Sequence, residues 1–160
     1  MSDERGRKLR VVVAEDHRAV RKLIQISLKQ DGRFDVVAET GDGLEVVELV
    51  RQLQPDVLVI DIRLPGLDGI QATRRIRAGS ACAVIVMSMH DDDAHIYDAL
   101  AAGARGYVVK SGINDLPEAI SKVSNGEIYL APPISLKRIE MYRRKYDKPP
   151  IEALTRSRDI

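Results

Sequence analysis

Val57-Leu58-Val59-Ile60-Asp61 is followed by Ile62-Arg63-Leu64-Pro65-Gly66. Four apolar residues, mostly β-branched, run straight into one carboxylate, and Pro-Gly then turns the chain. A continuous apolar run of this length, bounded by turn residues, suits a strand buried on both faces of a parallel sheet. Asp61 therefore falls where a central strand first meets water. In open α/β sheets the crevices form outside the carboxyl ends of the strands, so Asp61 belongs to the expected functional edge.

Working outward, the same kind of run recurs. Leu9–Ala14 ends at Glu15-Asp16, Val36–Ala38 is short, Ala83–Met87 ends at Ser88, and Tyr107–Val109 ends at Lys110. Segments of helical period separate these runs. The first places Val20, Leu23, Ile24 and Leu28 on one inward face and closes at Gly32. Residues 42–53 follow with Val46, Leu49, Val50 and Leu53, and residues 67–77 with Ile70 and Ile76 inward. A fourth helix runs from Asp93 to Ala102, and a fifth from Asp115 to Val123 with Gly126 beyond its end. Five strand–helix units joined by short connections predict an α/β fold, a doubly wound parallel sheet with helices on both faces. The expected division is a polar tail over 1–8, a domain over 9–130, a linker over 131–153, and the start of something further over 154–160. Pro132-Pro133 and Pro149-Pro150 bracket the linker's one helix, a basic and solvated one over 135–146.

The totals exclude several classes. A hydrophobic fraction of 44% in 160 residues supports a real core, and a net charge of +1 gives no general case for nucleic acid or membrane binding. Cys82 is the single cysteine, which reads as a small buried hydrophobe in a reducing compartment. No apolar run approaches the ~18 residues of a membrane span. The expected location is cytoplasmic, with no membrane partner.

The polar strand ends carry the chemistry. If the strands are parallel, Glu15-Asp16, Asp61, Ser88 and Lys110 share one edge. Taken singly, each is most simply a polar strand end, and Asp16 a helix cap. Taken together, three carboxylates near one lysine are costly unless a cation compensates them, and Mg²⁺ with few carboxylates suits an open pocket completed by phosphate oxygens. An ionised Asp61 can attack phosphorus and form an aspartyl phosphate, with Mg²⁺ held by Asp16 and Asp61. The Lys110 ammonium would neutralise a second oxygen and the Ser88 hydroxyl would donate to a third. His17, His90 and His95 lack ligand spacing and read as surface or helix-end residues.

Glu15-Asp16 after the first strand, Asp61 with Pro65 and Gly69 downstream, Ser88 after the fourth strand, and Gly106-Tyr107-Val108-Val109-Lys110 occur here in one order. Over roughly residues 9–130 the chain thus resembles a response-regulator receiver domain of a two-component system. The resemblance implies a flavodoxin-like five-stranded sheet of order 2-1-3-4-5, with Asp61 accepting a phosphoryl group from a histidine kinase. It implies Mg²⁺ ligands from Asp16, Asp61 and the backbone carbonyl of Arg63, with Glu15 acting through water. It also implies a switch in which Ser88 moves toward the phosphoryl group and Tyr107 turns inward, although Tyr107 reads equally well as plain core. Arg63 and His90 occupy positions that modulate loss of the phosphoryl group in the family. Many receivers carry proline after the lysine, where this chain has Ser111.

Gly126–Pro132 and Ile151–Thr155 resemble the linker and first residues of a LuxR/FixJ-type helix-turn-helix domain. The chain would hold only the start of such a domain, so DNA contact and transcription regulation are expected only through the output domain it lacks. The basic run from Lys137 to Lys145 reads more simply as a solvated face than as a phosphate-backbone contact. The expected role is a phosphorylation-controlled switch that changes dimerisation or output contacts, not an enzyme beyond slow self-dephosphorylation. The competing readings are a haloacid-dehalogenase-type phosphatase, a nucleotide or flavin module, and a receiver that binds partners without phosphorylation. The first wants an acid where Arg63 stands, and the second wants a glycine-rich loop where Glu15-Asp16 stands.

Overall fold

In a computed structural model of the chain, residues 6–156 are described. The outer parts of the expected tail and of the terminal segment, residues 1–5 and 157–160, lie outside them. Strands β1 (Leu9–Ala14), β2 (Phe34–Thr40), β3 (Val57–Asp61), β4 (Ala83–Ser88), β5 (Gly106–Val109) and β6 (Tyr129–Leu130) pair in parallel in the order β2-β1-β3-β4-β5-β6. The first five take the expected order; the short sixth strand is an addition at the edge beside β5.

The helices are α1 (Arg18–Asp31), α2 (Gly43–Leu53), α3 (Gly69–Gly79), α4 (Asp93–Ala101), α5 (Leu116–Ser124), α6 (Leu136–Lys145) and α7 (Glu152–Arg156). Side chains alternate across a strand, so one apolar run feeds two cores. Val57 and Val59 pack with Ile24 and Leu28 of α1 and Ile120 of α5. Leu58 and Ile60 pack with Val46 of α2, Ile76 of α3 and Ile96 of α4. Every residue of β3 is buried, which explains why its sequence shows no polar alternation.

Local signals fix the ends. Asp42 and Asp68 accept backbone N–H groups at the starts of α2 and α3, and Gly32 ends α1 with a left-handed φ of 84°. Because Asp68 caps α3, that helix begins at Gly69, two residues later than the pattern predicts. Cys82 is buried, as its apolar setting suggests.

Two expectations need correction. Leu23 does not face the core: it is 57% exposed, because the buried stripe of α1 is the narrower pair Ile24 and Leu28 with Val20 at its edge. Nor is α6 simply solvated. Ile139 is fully buried in the core cluster that α4 lines, and Arg138 and Arg143 are ion-paired to Asp93 and Glu140. A composition dominated by charge hides one fully buried side chain, Ile139, with Leu136 and Tyr142 packed partly buried beside the same core.

Candidate functional site

Strand register alone brings the expected residues to one rim. Ala14 pairs with Ile60, so Glu15 stands level with Asp61; Asp61 pairs with Met87, and Ser88 with Val109, so Ser88 and Lys110 follow one step out each. The Lys110 ammonium donates to Asp61 Oδ2 at 2.8 Å and lies 2.9 Å from Glu15 Oε1. Both carboxylates and Ser88 are buried, while Asp16 is exposed. Gly69 serves this geometry: a Cβ there would lie 2.1 Å from the Asp61 carbonyl oxygen, so no larger residue lets α3 start so close to the strand end.

Two buried carboxylates, Glu15 and Asp61, share one ammonium. Burial pushes the Glu15 carboxyl up, but hydrogen bonds from Lys110 and from the His17 backbone N–H outweigh it and hold it below the ordinary value. For Asp61 burial wins: with the Glu15 charge adding to it, the carboxyl is carried above its ordinary value despite Lys110 and the Arg63 N–H. Burial alone would lower Lys110, but Asp61 and Glu15 raise it, so it stays charged. Glu15 Oε1 is buried, with the Lys110 ammonium 2.9 Å away. Glu15, Asp16, His17 and Asp61 each offer an atom within 4.8 Å of the others. This surplus of negative charge in a half-open pocket fits a hard divalent cation.

Above the cluster, residues 88–92 form a short hydrogen-bonded bridge. Ser88 Oγ accepts the His90 N–H at 2.9 Å, and the Tyr107 hydroxyl donates to the His90 carbonyl at 2.8 Å. The Tyr107 ring is fully buried in the core and its hydroxyl reaches the rim, with burial pushing its pKa up to about 12. Arg63 and His90 meet at 3.3 Å, and the His90 ring stacks on His95 with centroids 4.7 Å apart. The peptide after Lys110 is trans, so Ser111 in place of proline leaves the lysine in reach.

His17 is the residue underestimated in the sequence. It sits at the start of α1, a helix end as expected, but its Nδ1 lies 3.2 Å from Glu15 and 3.4 Å from Asp16. Adjacency to Glu15-Asp16 was the available signal. Arg21, which no motif singled out, donates to the Glu15 carbonyl at 2.8 Å and steadies the same turn.

No described helix is long and apolar enough to cross a membrane. The chain is 37% identical over 139 residues to the transcriptional regulatory protein DegU of Brevibacillus brevis, covering 86% of this chain and 59% of that protein. It is 34% identical to the probable transcriptional regulatory protein NarL of Mycobacterium tuberculosis, over 82% of this chain and 62% of that one. This chain therefore spans about three-fifths of the length of these curated relatives. Among solved structures, a LuxR-family two-component response regulator from Aurantimonas sp. SI85-9A1 superposes with a TM-score of 0.78 at 34% identity, over 86% of this chain and 99% of that one. Residues 11–121, from β1 into α5, match the response regulator receiver domain family, and the chain belongs to it.

Proposed function

We propose that Asp61 accepts a phosphoryl group from a histidine kinase and that the resulting aspartyl phosphate controls the segment carrying Ser88 and Tyr107. The observation that carries this reading is the Lys110 ammonium held between Asp61 and Glu15, 2.8 Å from the acceptor carboxylate. Asp61 is the buried nucleophile, and a carboxylate that ionises needs no general base. Glu15, Asp16, Asp61 and the Arg63 backbone carbonyl would hold Mg²⁺, which supplies charge neutralisation between the nucleophile and the phosphoryl oxygens. Lys110 stands ready to pair with a phosphoryl oxygen, and Ser88, whose oxygen accepts the His90 N–H, can donate its own hydroxyl proton to another. Arg63 and His90, in contact at the mouth, modulate access of water to the product.

Phosphorylation then acts by population shift, favouring the conformer with Ser88 engaged and Tyr107 inward. The consequence for the parent protein is altered homodimerisation or altered contacts of a DNA-binding output domain, of the kind the transcriptional regulators above are named for. The receiver spans residues 9–130, the linker with its basic helix 131–153, and the start of the output domain 154–160.

Incubation with Mg²⁺ and acetyl phosphate should label one acid-stable, base-labile site, and Asp61→Asn should abolish the label. Undiminished labelling of that variant refutes the assignment.

A further inference from the structure

Helix α6 is fastened to the same bridge that connects Ser88 to Tyr107. Arg138 reaches back to the start of α4: its Nε donates to Asp93 Oδ1 at 2.6 Å and its Nη2 to the Asp91 carbonyl at 2.8 Å. Asp91 directly follows His90, whose N–H and carbonyl are held by Ser88 and by the Tyr107 hydroxyl. The strand carrying Tyr107 also anchors the other approach to α6. The Tyr107 carbonyl accepts the Ala131 N–H at 3.0 Å, just where the chain leaves β6 for the helix. Ile139, next to Arg138, is fully buried against the core. At the far end Tyr97 of α4 donates to the Pro149 carbonyl at 2.6 Å and packs on Tyr142.

We infer that Arg138 is a positioning residue that reads the switch: it clamps α6 onto α4 when residues 90–93 are held as they are with Tyr107 inward. A guanidinium fork suits this task, because its two N–H groups must meet a carboxylate and a carbonyl in one fixed relative placement. A change of conformation between Asp91 and Asp93 alters the relative placement of those two acceptors and removes half the grip. The input rests on the phosphoryl-acceptor reading above: a group that draws Ser88 and favours inward Tyr107 tightens α6 on α4. The signal thus leaves through the helix that leads toward the output segment, and the α4 face under α6 is closed to other partners while the clamp holds.

Hydrogen–deuterium exchange of the α6 amides in the full 160-residue chain tests this. Arg138→Ala and Tyr107→Phe should each speed α6 exchange, roughly fivefold, and the double variant should do little more than either alone. Full additivity of the two effects, or an α6 indifferent to Tyr107→Phe, overturns the clamp without any ligand being involved. Mg²⁺ with beryllofluoride should slow α6 exchange in the wild type, and Arg138→Ala should abolish that slowing while still binding the mimic. Binding of the mimic with α6 unchanged or loosened overturns the inference and leaves the acceptor reading standing. Failure of the mimic to bind refutes the acceptor reading, and the ligand-free pair of variants then decides the clamp by itself.

Discussion

At the scale of single residues, Asp61 and Glu15 compete for one ammonium, and burial decides against Asp61. A carboxyl whose folded value is raised favours the fold while protonated, so its contribution falls as pH rises through the carboxylate range. Burial and the Glu15 charge thus make an ionised Asp61 unfavourable to the fold when no cation is bound. Asp61→Asn should raise stability by about 1 kcal/mol in chelator, the usual scale of a single substitution. Added Mg²⁺ should stabilise the wild type more than the variant; equal responses in a thermal melt would contradict the shared-charge account. Gly69 is governed by space, not charge. A methyl group there meets the Asp61 carbonyl at 2.1 Å and the Ile62 Cα at 2.9 Å, both backbone. Gly69→Ala should cost about 3 kcal/mol, read from urea midpoints, because nothing flexible can yield. The Pro65 and Gly69 of the motif were legible as letters; that Gly69 is required by a close approach to the acceptor is visible only in three dimensions.

At the scale of elements, α6 shows how charge patterning misleads. Lys137 to Lys145 reads as a solvated basic face, yet Glu140 gathers Arg143 and Arg144 while Arg138 turns back to α4. Hydrogen bonds from both arginines lower Glu140 to about 2 from an ordinary 4.5. A depressed carboxyl contributes above its unfolded value and loses that contribution as pH falls through the folded one. The Glu140 triad should accordingly persist through pH 4.5 and fail only toward about pH 2. A carboxyl-carbon NMR titration of Glu140 checks this, and a midpoint at the ordinary value would mean that the triad does not form in solution. The helices of the receiver itself were easier to place, because caps such as Asp42 and Asp68 and the stop at Gly32 are local hydrogen-bonding signals. Leu23 was misplaced since an apolar residue beside Ile24 fits helical spacing whether or not the neighbouring element is wide enough to cover it.

At the scale of the whole molecule, one sheet separates two cores, and its middle strands are sealed on both faces. Val12, Leu58, Val59, Val84 and Val86 are all 0% exposed, whereas most of β2 is half-buried and β6 is two residues long. Protection against hydrogen exchange should follow that gradient: amides of β3 and β4 exchanging only with global unfolding, those of β2 and β6 earlier. Faster exchange in β3 than in β2 would be incompatible with a sheet built from its centre. The same centre holds the functional edge, since the strands least able to move carry Glu15, Asp61 and Ser88 at their ends.

The amino-acid sequence by itself determined the strand–helix alternation, the burial of the Val57–Ile60 run on both faces, and the set of polar residues that end the strands. Those are properties of neighbouring residues, set by side-chain periodicity, turn chemistry and hydrophobicity. Tertiary structure alone decided which carboxylate is raised, that His17 borders the acidic cluster, that Tyr107 reaches His90, and that Arg138 ties α6 to α4. Each of these joins side chains through register and docking, and a few ångströms of placement, which no local pattern encodes, set both the sign of a charge interaction and the reach of a hydrogen bond.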